Sequence, residues 1–479
     1  MSPAEKEKVI TRFAPSPTGF LHIGSLRTAL YAYLFARHNQ GKFYLRIEDT
    51  DQKRKVEGAV EGLIEILKFF NLNWDNEKIM IQSERLPIYK KFAEQLVEEG
   101  KAYYCFCTEQ RLEDLKKNQA QQKLPPMYDG KCRDLDLAEA KKQVAAGLGY
   151  VIRFKMPKTR QTEFNDVIRG KVTFDNKILD DQIILKSDGF PTYHLAAVVD
   201  DHEMEITHVI RGEDWLPSTP KHILMFKAFG WTVPVFAHLP LNLNPDKSKL
   251  SKRQGDVAVE DFLKKGYLKE ALLNFVLLLG WNPGTEQEIF NFDEMIKTFS
   301  LEKVSKSGSV FDVKKLDWLN GEYIRMKSAE EFAELCLPYL SAAGIKADPE
   351  LVKKAVITEQ KRIKILGEIV EATRFFFEDL DFDPEFLIWK KQNHRETAQN
   401  LKMLADRLDQ IPEDSWQEKS LEEEIKSFIT TNNTGVGDIL WPMRVALSGR
   451  KASPGPFEIA TVLGKKETLR RIKKAIDLL

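Results

Sequence analysis

The sequence predicts a multidomain α/β protein whose C-terminal third is helical. Strand-like alternation at 8–14 leads into a helical stripe that ends at Gly41, and a second strand pattern follows at 42–49. A further helical stripe, for which Ser83 is the predicted N-cap, ends at Gly100. This alternation of strands and helices is typical of a parallel sheet with crossover helices.

The α/β pattern is interrupted farther along the chain and then replaced. From 101 to about 185, a CxC motif, a helix rich in lysine and glutamine, and short strands indicate an insertion. The strand-and-turn pattern returns in IILKSDGFPTYHLAAVVDD and THVIRGEDW, and a helix is predicted near 217–229. After about 320 strand signals fade, and 351–377 and 456–479 are predicted to be long helices.

Composition and charge exclude several classes of protein. A chain of 479 residues suggests three or four domains, and 43% apolar with 30% charged residues is ordinary for a soluble protein. Lys plus Arg equals Asp plus Glu at 72 each, so a nucleic-acid partner would require local basic faces. We expect a cytoplasmic protein without a signal peptide or membrane span, and four cysteines favour a reducing compartment.

Three strand candidates, RFAPSP, RIEDTD and VIRGED, end in polar residues. In an open parallel sheet, ligands bind beyond the carboxyl ends of the strands, so these segments predict one shared rim. The polar residues on that rim are Arg12, Ser16, Glu48, Asp49, Arg211, Glu213 and Asp214. Two arginines and several carboxylates suit a zwitterionic ligand that carries an additional carboxylate. Solvated strand ends are the alternative interpretation.

Two further motifs indicate a phosphate site. His22-Ile23-Gly24-Ser25 stands at a predicted helix start, where free N–H groups and the helix dipole favour anions. Gly24 would let a base or phosphate approach the backbone, and His22 can donate to a phosphate oxygen. Far downstream, the loop KSKLSKRQG at 247–255 carries Lys249, Ser251, Lys252 and Arg253. Taken alone, the first motif is most often an incidental match, and the second is more often an exposed charged loop.

Together the two motifs resemble the HIGH and KMSKS signatures of the class I aminoacyl-tRNA synthetases, here as HIGS and KLSKR. RFAPSPTGFLHIGSLRTAL, RIEDTD, PTYHLAAVVDDHEMEITHVIRGEDW and LGWNP are similar to the bacterial glutamyl-tRNA synthetase family. SKSGSVFDVKKLDWLNGEYI and GRKASPGPFEIATVLGK extend the resemblance nearly to the C-terminus. Matches in order along the chain make coincidence a poor explanation.

The resemblance implies an α/β Rossmann-type catalytic domain with an inserted α+β acceptor-binding domain, followed by an all-α C-terminal anticodon-binding region. The implied boundaries are 1–105 and 188–240 for the two halves of the catalytic domain, 106–187 for the insertion, 241–324 for a KMSKS-loop and stem-contact domain, and 325–479 for the helical region, which we expect to divide near 376.

The family's reaction implies the substrates and the site residues. L-Glutamate and ATP, with Mg²⁺, would form glutamyl-adenylate, and the glutamyl group would pass to the 3′ end of tRNA(Glu), or also of tRNA(Gln). We expect His22, Gly24, Lys249 and Lys252 to be catalytic, and the ATP site to comprise these four with Ser25, Ser251 and Arg253. The implied substrate residues are Arg12, Ala14, Ser16, Glu48, Tyr193, Arg211 and Asp214.

Within that substrate site, two carboxylates require two guanidinium groups, because arginine binds a carboxylate through a bidentate fork. We assign Arg12 to the side-chain carboxylate and Arg211 to the α-carboxylate, with the reverse assignment still open. Glu48 would bind the α-ammonium group, and Tyr193 would add a hydroxyl donor.

A zinc site is a further expectation. Cys105, Cys107 and Cys132 supply three thiols, whereas zinc takes four ligands. Zinc-binding members of the family have a histidine where this chain has Asp134. The fourth ligand would be Tyr128, as in the shorter glutamyl-queuosine relatives, or Asp134, and a knuckle without metal is equally open. We expect Cys336 to be a core residue.

The helical region is expected to bind the anticodon, with Arg362, Trp441 and Arg444 as candidate contacts. Whether the protein discriminates against tRNA(Gln) stays open, and a monomer is expected. Three alternatives remain: a glutaminyl or glutamyl-queuosine enzyme, a nucleotidyltransferase, and a catalytically inactive tRNA-binding paralogue. The helical tail and full length disfavour the first, the tail disfavours the second, and the intact motifs disfavour the third.

Overall fold

The computed structural model describes residues 8–54, 56–250 and 258–479. Two compact units can be distinguished within it. The first runs from the start of the described chain to Phe262 and includes Leu272–Asp312; the second consists of Leu263–Ala271 and Val313–Leu479. The finer domain boundaries given above stay predictions.

The strands of the described residues are β1 (Ile10–Phe13), β2 (Lys42–Ile47), β3 (Met80–Ile81), β4 (Ala102–Cys105), β5 (Val151–Phe154), β6 (Gln161–Asp166), β7 (Gly170–Asp175), β8 (Ile183–Leu185), β9 (His208–Gly212), β10 (Val235–Leu239), β11 (Asn242–Leu243) and β12 (Ser309–Val310).

The helices of the described residues are α1 (Ile23–His38), α2 (Ala59–Phe69), α3 (Leu86–Glu98), α4 (Glu109–Gln121), α5 (Leu137–Ala145), α6 (Tyr193–Glu203), α7 (Thr219–Phe229), α8 (Val259–Lys265), α9 (Lys269–Leu278), α10 (Phe292–Thr298), α11 (Val313–Met326), α12 (Ala329–Ala342), α13 (Pro349–Glu359), α14 (Ile369–Thr373), α15 (His394–Asp409), α16 (Glu418–Thr431), α17 (Val436–Ser448) and α18 (Pro456–Asp477).

Parallel strands form the centre of the first unit. β2 pairs in parallel with β1 and β3, and β10 pairs in parallel with β9 and β6. Just before β9, the Thr207 N–H donates to the Ile10 carbonyl at 3.0 Å, which places β9 beside β1. The carboxyl ends of β1, β2 and β9 therefore meet at one edge, as the strand-end pattern predicts.

The segment between β3 and α6 contains an antiparallel sheet of its own. β5 lies between β4 and β8, and α3 and α6 pack against this sheet through a shared apolar core. This sheet brings the CxC motif at the end of β4 close to the turn that carries Cys132. The predicted insertion thus has both strands and helices.

The helix start predicted at Ser83 is wrong. Residues Gln82–Arg85 form a single 3₁₀ turn, and α3 begins at Leu86. Ser83 does not cap the helix because its hydroxyl and amide groups donate to the Asp49 carboxylate at 2.7 and 2.8 Å. The local capping pattern is overridden by a tertiary contact.

Eight helices, α11 to α18, dominate the second unit among the residues described. The long helix predicted at 351–377 is wrong, because α13 ends at Glu359 and α14 begins at Ile369. The Leu366 N–H instead donates to the Gly266 carbonyl at 3.1 Å. α18 is kinked at Gly464, whose φ of 75° is unfavourable for other residues.

The C-terminal helices bury one apolar core. Its centre is formed by fully buried side chains of α15, α16 and α17, among them Leu404, Ile425 and Met443. Within the described residues, no helix is long and apolar enough to cross a membrane.

Candidate active site

A cavity of about 350 Å³ opens at the carboxyl ends of β1, β2 and β9. Every predicted ATP or substrate residue that the structure describes lines it: Arg12, Ala14, Ser16, His22, Gly24, Ser25, Glu48, Tyr193, Arg211, Asp214 and Lys249. The remaining predicted residues, Ser251, Lys252 and Arg253, lie outside the described residues.

Two residues expected on the rim have structural partners and do not line the cavity. Asp49 accepts from Ser83, as described above. Glu213 forms an ion pair with Arg169 and accepts from the Leu241 N–H at 2.8 Å. Both carboxylates therefore join neighbouring segments of the fold.

His22 is the N-cap of α1. Its Nδ1 atom accepts from the Gly24 N–H at 2.9 Å, and its carbonyl accepts from Ser25 and Leu26. Because Nδ1 is an acceptor, the neutral ring carries its proton on Nε2 and can donate there. A Cβ on Gly24 would lie 3.3 Å from both His22 and Asn242, so the glycine keeps this corner open.

Lys249 lies on the other side of the cavity, next to the start of the undescribed segment. Its Nζ atom is 2.7 Å from Oδ1 of Asp214, and both side chains are about half exposed, at 55% and 56%. Exposed ion pairs are weak, so this lysine can exchange its carboxylate for a phosphate at little cost.

Arg12 and Glu48 are joined by a buried series of ion pairs, Arg12–Asp201–Arg46–Glu48, which we call the ladder. The Arg12 Nε atom lies 3.0 Å from Oδ1 of Asp201, and Nη1 of Arg46 lies 2.7 Å from the same oxygen. The Nη2 atom of Arg46 donates to Oε1 of Glu48 at 2.9 Å. Arg46 is fully buried, so these ion pairs are shielded from water.

The ladder sets the charge states of its carboxylates. Burial raises the pKa of Asp201, but the charges of Arg12 and Arg46 outweigh this and lower the pKa overall. Burial raises the pKa of Glu48 despite the opposing effects of Arg46 and Arg12. A ligand ammonium group beside Glu48 would favour its ionised form again.

Arg211 is buried as well, yet all of its contacts are neutral. It donates to Tyr193 Oη at 3.1 Å, His238 Nε2 at 3.1 Å, His222 Nδ1 at 3.3 Å and Thr219 Oγ1 at 2.9 Å. Among the residues that the structure describes, no carboxylate forms an ion pair with Arg211. Its positive charge is therefore available to a ligand in a way that the charge of Arg12 is not.

A second cavity of about 1120 Å³ adjoins the first and shares Ser16, Glu48, Tyr193 and Trp215 with it. The rings of Tyr193 and Trp215 lie between the two spaces, with centroids 4.0 Å apart and their planes tilted by 34°. The larger cavity extends to Cys107 and to Phe190, over which Lys186 lies at 5.1 Å. Aromatic and basic groups of this kind suit a single nucleic-acid strand.

The three clustered thiols meet at the edge of that larger cavity. The sulfur atoms of Cys105, Cys107 and Cys132 all lie within 4.8 Å of one another, and the Cys107–Cys132 separation is 3.7 Å. Tyr128 Oη lies 3.5 Å from Cys105 Sγ and 3.4 Å from Cys107 Sγ. The Cys107–Cys132 separation and the two Tyr128 separations are close to the edge of about 3.8 Å of a tetrahedral zinc site with bonds of about 2.3 Å.

Asp134, the other candidate for a fourth ligand, is not part of the cluster. Its side chain is 84% exposed and forms an ion pair with Lys155 at 3.1 Å. Two guanidinium groups also face the sulfur atoms: Arg153 Nε lies 3.4 Å from Cys105 Sγ, and Arg111 Nη1 lies 3.5 Å from Cys107 Sγ. The donor set therefore favours Tyr128 over Asp134.

Comparison with known proteins agrees with this geometry. The catalytic domain of class I tRNA synthetases (E and Q) matches residues 8–318, and an anticodon binding domain matches residues 331–476. This chain belongs to the class I tRNA synthetase family. The resemblance and fold class predicted from the sequence are confirmed.

Similar proteins match this class I synthetase over its whole length. Glutamate–tRNA ligases of Clostridium botulinum and Dehalococcoides mccartyi are 46% and 45% identical to it, over 98% of this chain and 99% and 97% of theirs. The crystal structure of a glutamate tRNA ligase from Elizabethkingia meningosepticum in complex with its amino acid has a TM-score of 0.90 at 37% identity, covering 99% of this chain and 100% of that one.

The candidate anticodon residues of this synthetase have different surroundings in the second unit. Arg362 is exposed and pairs with Glu458 at 2.8 Å. Trp441 packs against Trp389, with centroids 4.8 Å apart, and its indole N–H donates to the Phe386 carbonyl. The half-buried Arg444 guanidinium forms no hydrogen bond or ion pair with any described residue, and so is the freest of the three to bind a base.

The sequence motifs of this synthetase do not single out four further residues of the site, namely Arg46, Asp201, His222 and His238. Arg46 lies in a strand, just before the acidic residues of RIEDTD. Alternation along the strand would by itself predict that the Arg46 side chain faces solvent. Asp201 and His222 lie on helices and His238 on β10; Asp201 stands within PTYHLAAVVDDHEMEITHVIRGEDW, but nothing local indicates that it is buried. The one sequence signal that could have indicated these ion pairs is an arginine, Arg46, within a predicted strand.

Proposed function

We propose that this chain is a glutamate–tRNA ligase. It activates L-glutamate with ATP to form glutamyl-adenylate and pyrophosphate, and then transfers the glutamyl group to the 3′ end of tRNA(Glu), with release of AMP. The observation that supports this most strongly is the buried Arg211, without a carboxylate partner in the described chain, in one cavity with Glu48 and the start of α1. The glutamate–tRNA ligases among its relatives support the same substrate.

Glutamate binds with its two carboxylates at Arg12 and Arg211 and its ammonium group at Glu48. Tyr193 already hydrogen-bonds to Arg211, so its hydroxyl lies where a carboxylate held by Arg211 would accept a second bond. Ala14 and Ser16 follow β1 in the cavity wall, on the same side as Arg12. Glutamine is disfavoured, since its amide would leave a buried arginine without its counter-charge.

ATP binds at the helix start, with His22 Nε2 and the positive end of the α1 helix dipole facing its phosphates. A glutamate carboxylate oxygen attacks the α-phosphorus atom, and the bond to pyrophosphate breaks. No general base is required because the carboxylate is ionised at neutral pH. Lys249, with Lys252 on the same loop, neutralises the departing pyrophosphate, and Mg²⁺ accompanies the phosphates.

The tRNA acceptor end enters the larger cavity, where Lys186, Phe190 and Trp215 offer charge and stacking surfaces. Residues 106–187 bind the acceptor stem, and the helical region at 325–479 binds the anticodon. Arg444 and Arg362 are the anticodon contacts, and Trp441 contributes an apolar surface. Cytoplasmic location, a monomeric state and the choice between tRNA(Glu) and tRNA(Gln) stay predictions.

Zinc is bound by Cys105, Cys107, Cys132 and Tyr128. Its role is structural: four protein ligands leave no open position, and the ion ties the end of β4 to the turn at Cys132. That tie fixes one wall of the larger cavity, which contains Cys105 and Cys107.

Charging of purified tRNA(Glu) with labelled amino acids, ATP and Mg²⁺ tests the proposal. Glutamate should be attached and glutamine should not. Arg12→Ala should raise the KM for glutamate by about tenfold or more, because a buried charged hydrogen bond is lost. Charging with glutamine in place of glutamate, or an unchanged KM in the variant, would contradict the proposed pocket.

A further inference from the structure

Arg211 is surrounded by histidines that are required to be neutral. Arginine can only donate, so both imidazole nitrogen atoms that face Arg211, Nε2 of His238 and Nδ1 of His222, must be acceptors. The proton of His238 therefore lies on Nδ1, from which it donates to Asp166 Oδ2 at 2.6 Å. The proton of His222 lies on Nε2, from which it donates to His194 Nδ1 at 3.0 Å.

The surroundings of Arg211, with His222 and His238, differ from those of Arg12 and of Arg46 behind it. Arg12 and Arg46 share the Asp201 carboxylate, so their charges are largely compensated before any ligand arrives. Among the described residues, Arg211 is linked to a carboxylate only indirectly: it donates to Nε2 of His238, whose Nδ1 atom donates to Asp166. Arg211 is nonetheless fixed in position by acceptors on Nε, Nη1 and Nη2.

We infer that His222 and Thr219 are positioning residues that hold Arg211 with neutral acceptors, and so keep its charge available for a carboxylate of glutamate. Burial and the charge of Arg211 lower the pKa of His222, in agreement with a neutral ring. A charged acceptor at either position would hold Arg211 equally well and would compete with the ligand. The inference rests on the proposed function and specifies how the pocket attracts an anion.

A pair of matched variants separates charge from geometry. In His222→Asn and His222→Asp, an oxygen can occupy the place of Nδ1, and the two side chains have the same size and differ in charge. His222→Asp should bind L-glutamate about tenfold or more weakly than His222→Asn, measured by titration calorimetry, because its carboxylate neutralises Arg211. The KM for ATP should be the same in both, which a general structural defect would not produce.

L-Glutamine, titrated in parallel, identifies the carboxylate that Arg211 binds. If His222→Asp binds only glutamate more weakly than His222→Asn does, Arg211 binds the side-chain carboxylate. If it binds both amino acids more weakly, Arg211 binds the α-carboxylate. Both results support the inference. Equal glutamate affinity in the two variants would overturn it. If His222→Asp does not fold, Thr219→Asn and Thr219→Asp provide the same comparison at Nη2.

Calorimetry requires no tRNA, so a failure of the inference about His222 can be distinguished from a failure of the proposed function. Equal affinities together with normal tRNA charging by the unmodified protein would overturn the inference about His222 and leave the proposed function intact. Binding of glutamate without any charging of tRNA would overturn the proposed function.

Discussion

Arg46 donates to the Glu48 carboxylate across 2.9 Å while its other amino group reaches Asp201 at 2.7 Å. One fully buried guanidinium thus holds the expected ammonium receptor and, through Asp201, the Arg12 side chain. The two ends of the glutamate pocket are therefore coupled through a residue that does not itself line the cavity.

Arg46→Met should destabilise the protein by about 3–5 kcal/mol, since it leaves two buried carboxylates without their shared partner. Thermal unfolding measures this loss, and the KM for glutamate should rise in parallel. Arg37→Met is a matched control, because Arg37 pairs with Asp75 at 2.8 Å in a partly exposed position and should contribute about 1 kcal/mol or less. Equal losses in the two variants would show that the ladder has no special role.

Lys249→Met should lower the rate of charging about a hundredfold or more without changing the melting temperature. The ion pair with Asp214 is exposed and contributes little to stability, whereas a charge at the departing pyrophosphate acts in the transition state. Asp214→Asn, which releases Lys249 but keeps its charge, should have a smaller effect on kcat. If Lys249→Met lowered the melting temperature enough to account for its loss of activity, the role of Lys249 would be structural instead.

The thiol cluster predicts one zinc ion per chain in protein purified without chelators. Cys132→Ser should abolish stoichiometric zinc, and Tyr128→Phe should weaken its retention against a chelator, because each removes one of four ligands. Cys336→Ser should keep the metal, since Cys336 is buried in α12 of the second unit. Metal analysis that finds no zinc in the unmodified protein would refute the site.

The histidines beside Arg211 predict loss of stability in mild acid. Burial and the charges of Lys221 and Arg211 lower the pKa of His194 from 6.5 to about 3. The unfolded chain therefore binds a proton that the folded chain excludes, so this stability is complete above pH 6.5 and falls as the pH decreases toward 3. Between pH 7.5 and pH 5 the loss from this residue is about 2 kcal/mol.

Melting temperatures at pH 7.5 and 5.0 measure this effect, with His194→Gln as the comparison. The melting temperature of His194→Gln should fall by a few degrees less on acidification, because glutamine does not take up a proton in the unfolded chain. An identical decrease in both proteins would assign the acid sensitivity to other groups.

The sequence is sufficient to predict the cavity but not the network behind it. Arg12, Glu48 and Arg211 could be placed together because the carboxyl ends of parallel strands share an edge. Asp201 and His222 could not, since they lie on helices whose apolar stripes gave no sign of a buried polar group. The same limit explains Ser83, whose capping pattern is local whereas its partner Asp49 is distant in sequence.

The proposed function is tested most directly by glutamate attachment to purified tRNA(Glu) and tRNA(Gln), each incubated separately with the unmodified protein, ATP and Mg²⁺. We expect charging of tRNA(Glu), and charging of tRNA(Gln) as well would define a non-discriminating enzyme. Failure to charge either tRNA, in protein that still binds ATP, would contradict the proposed function and indicate an inactive tRNA-binding paralogue.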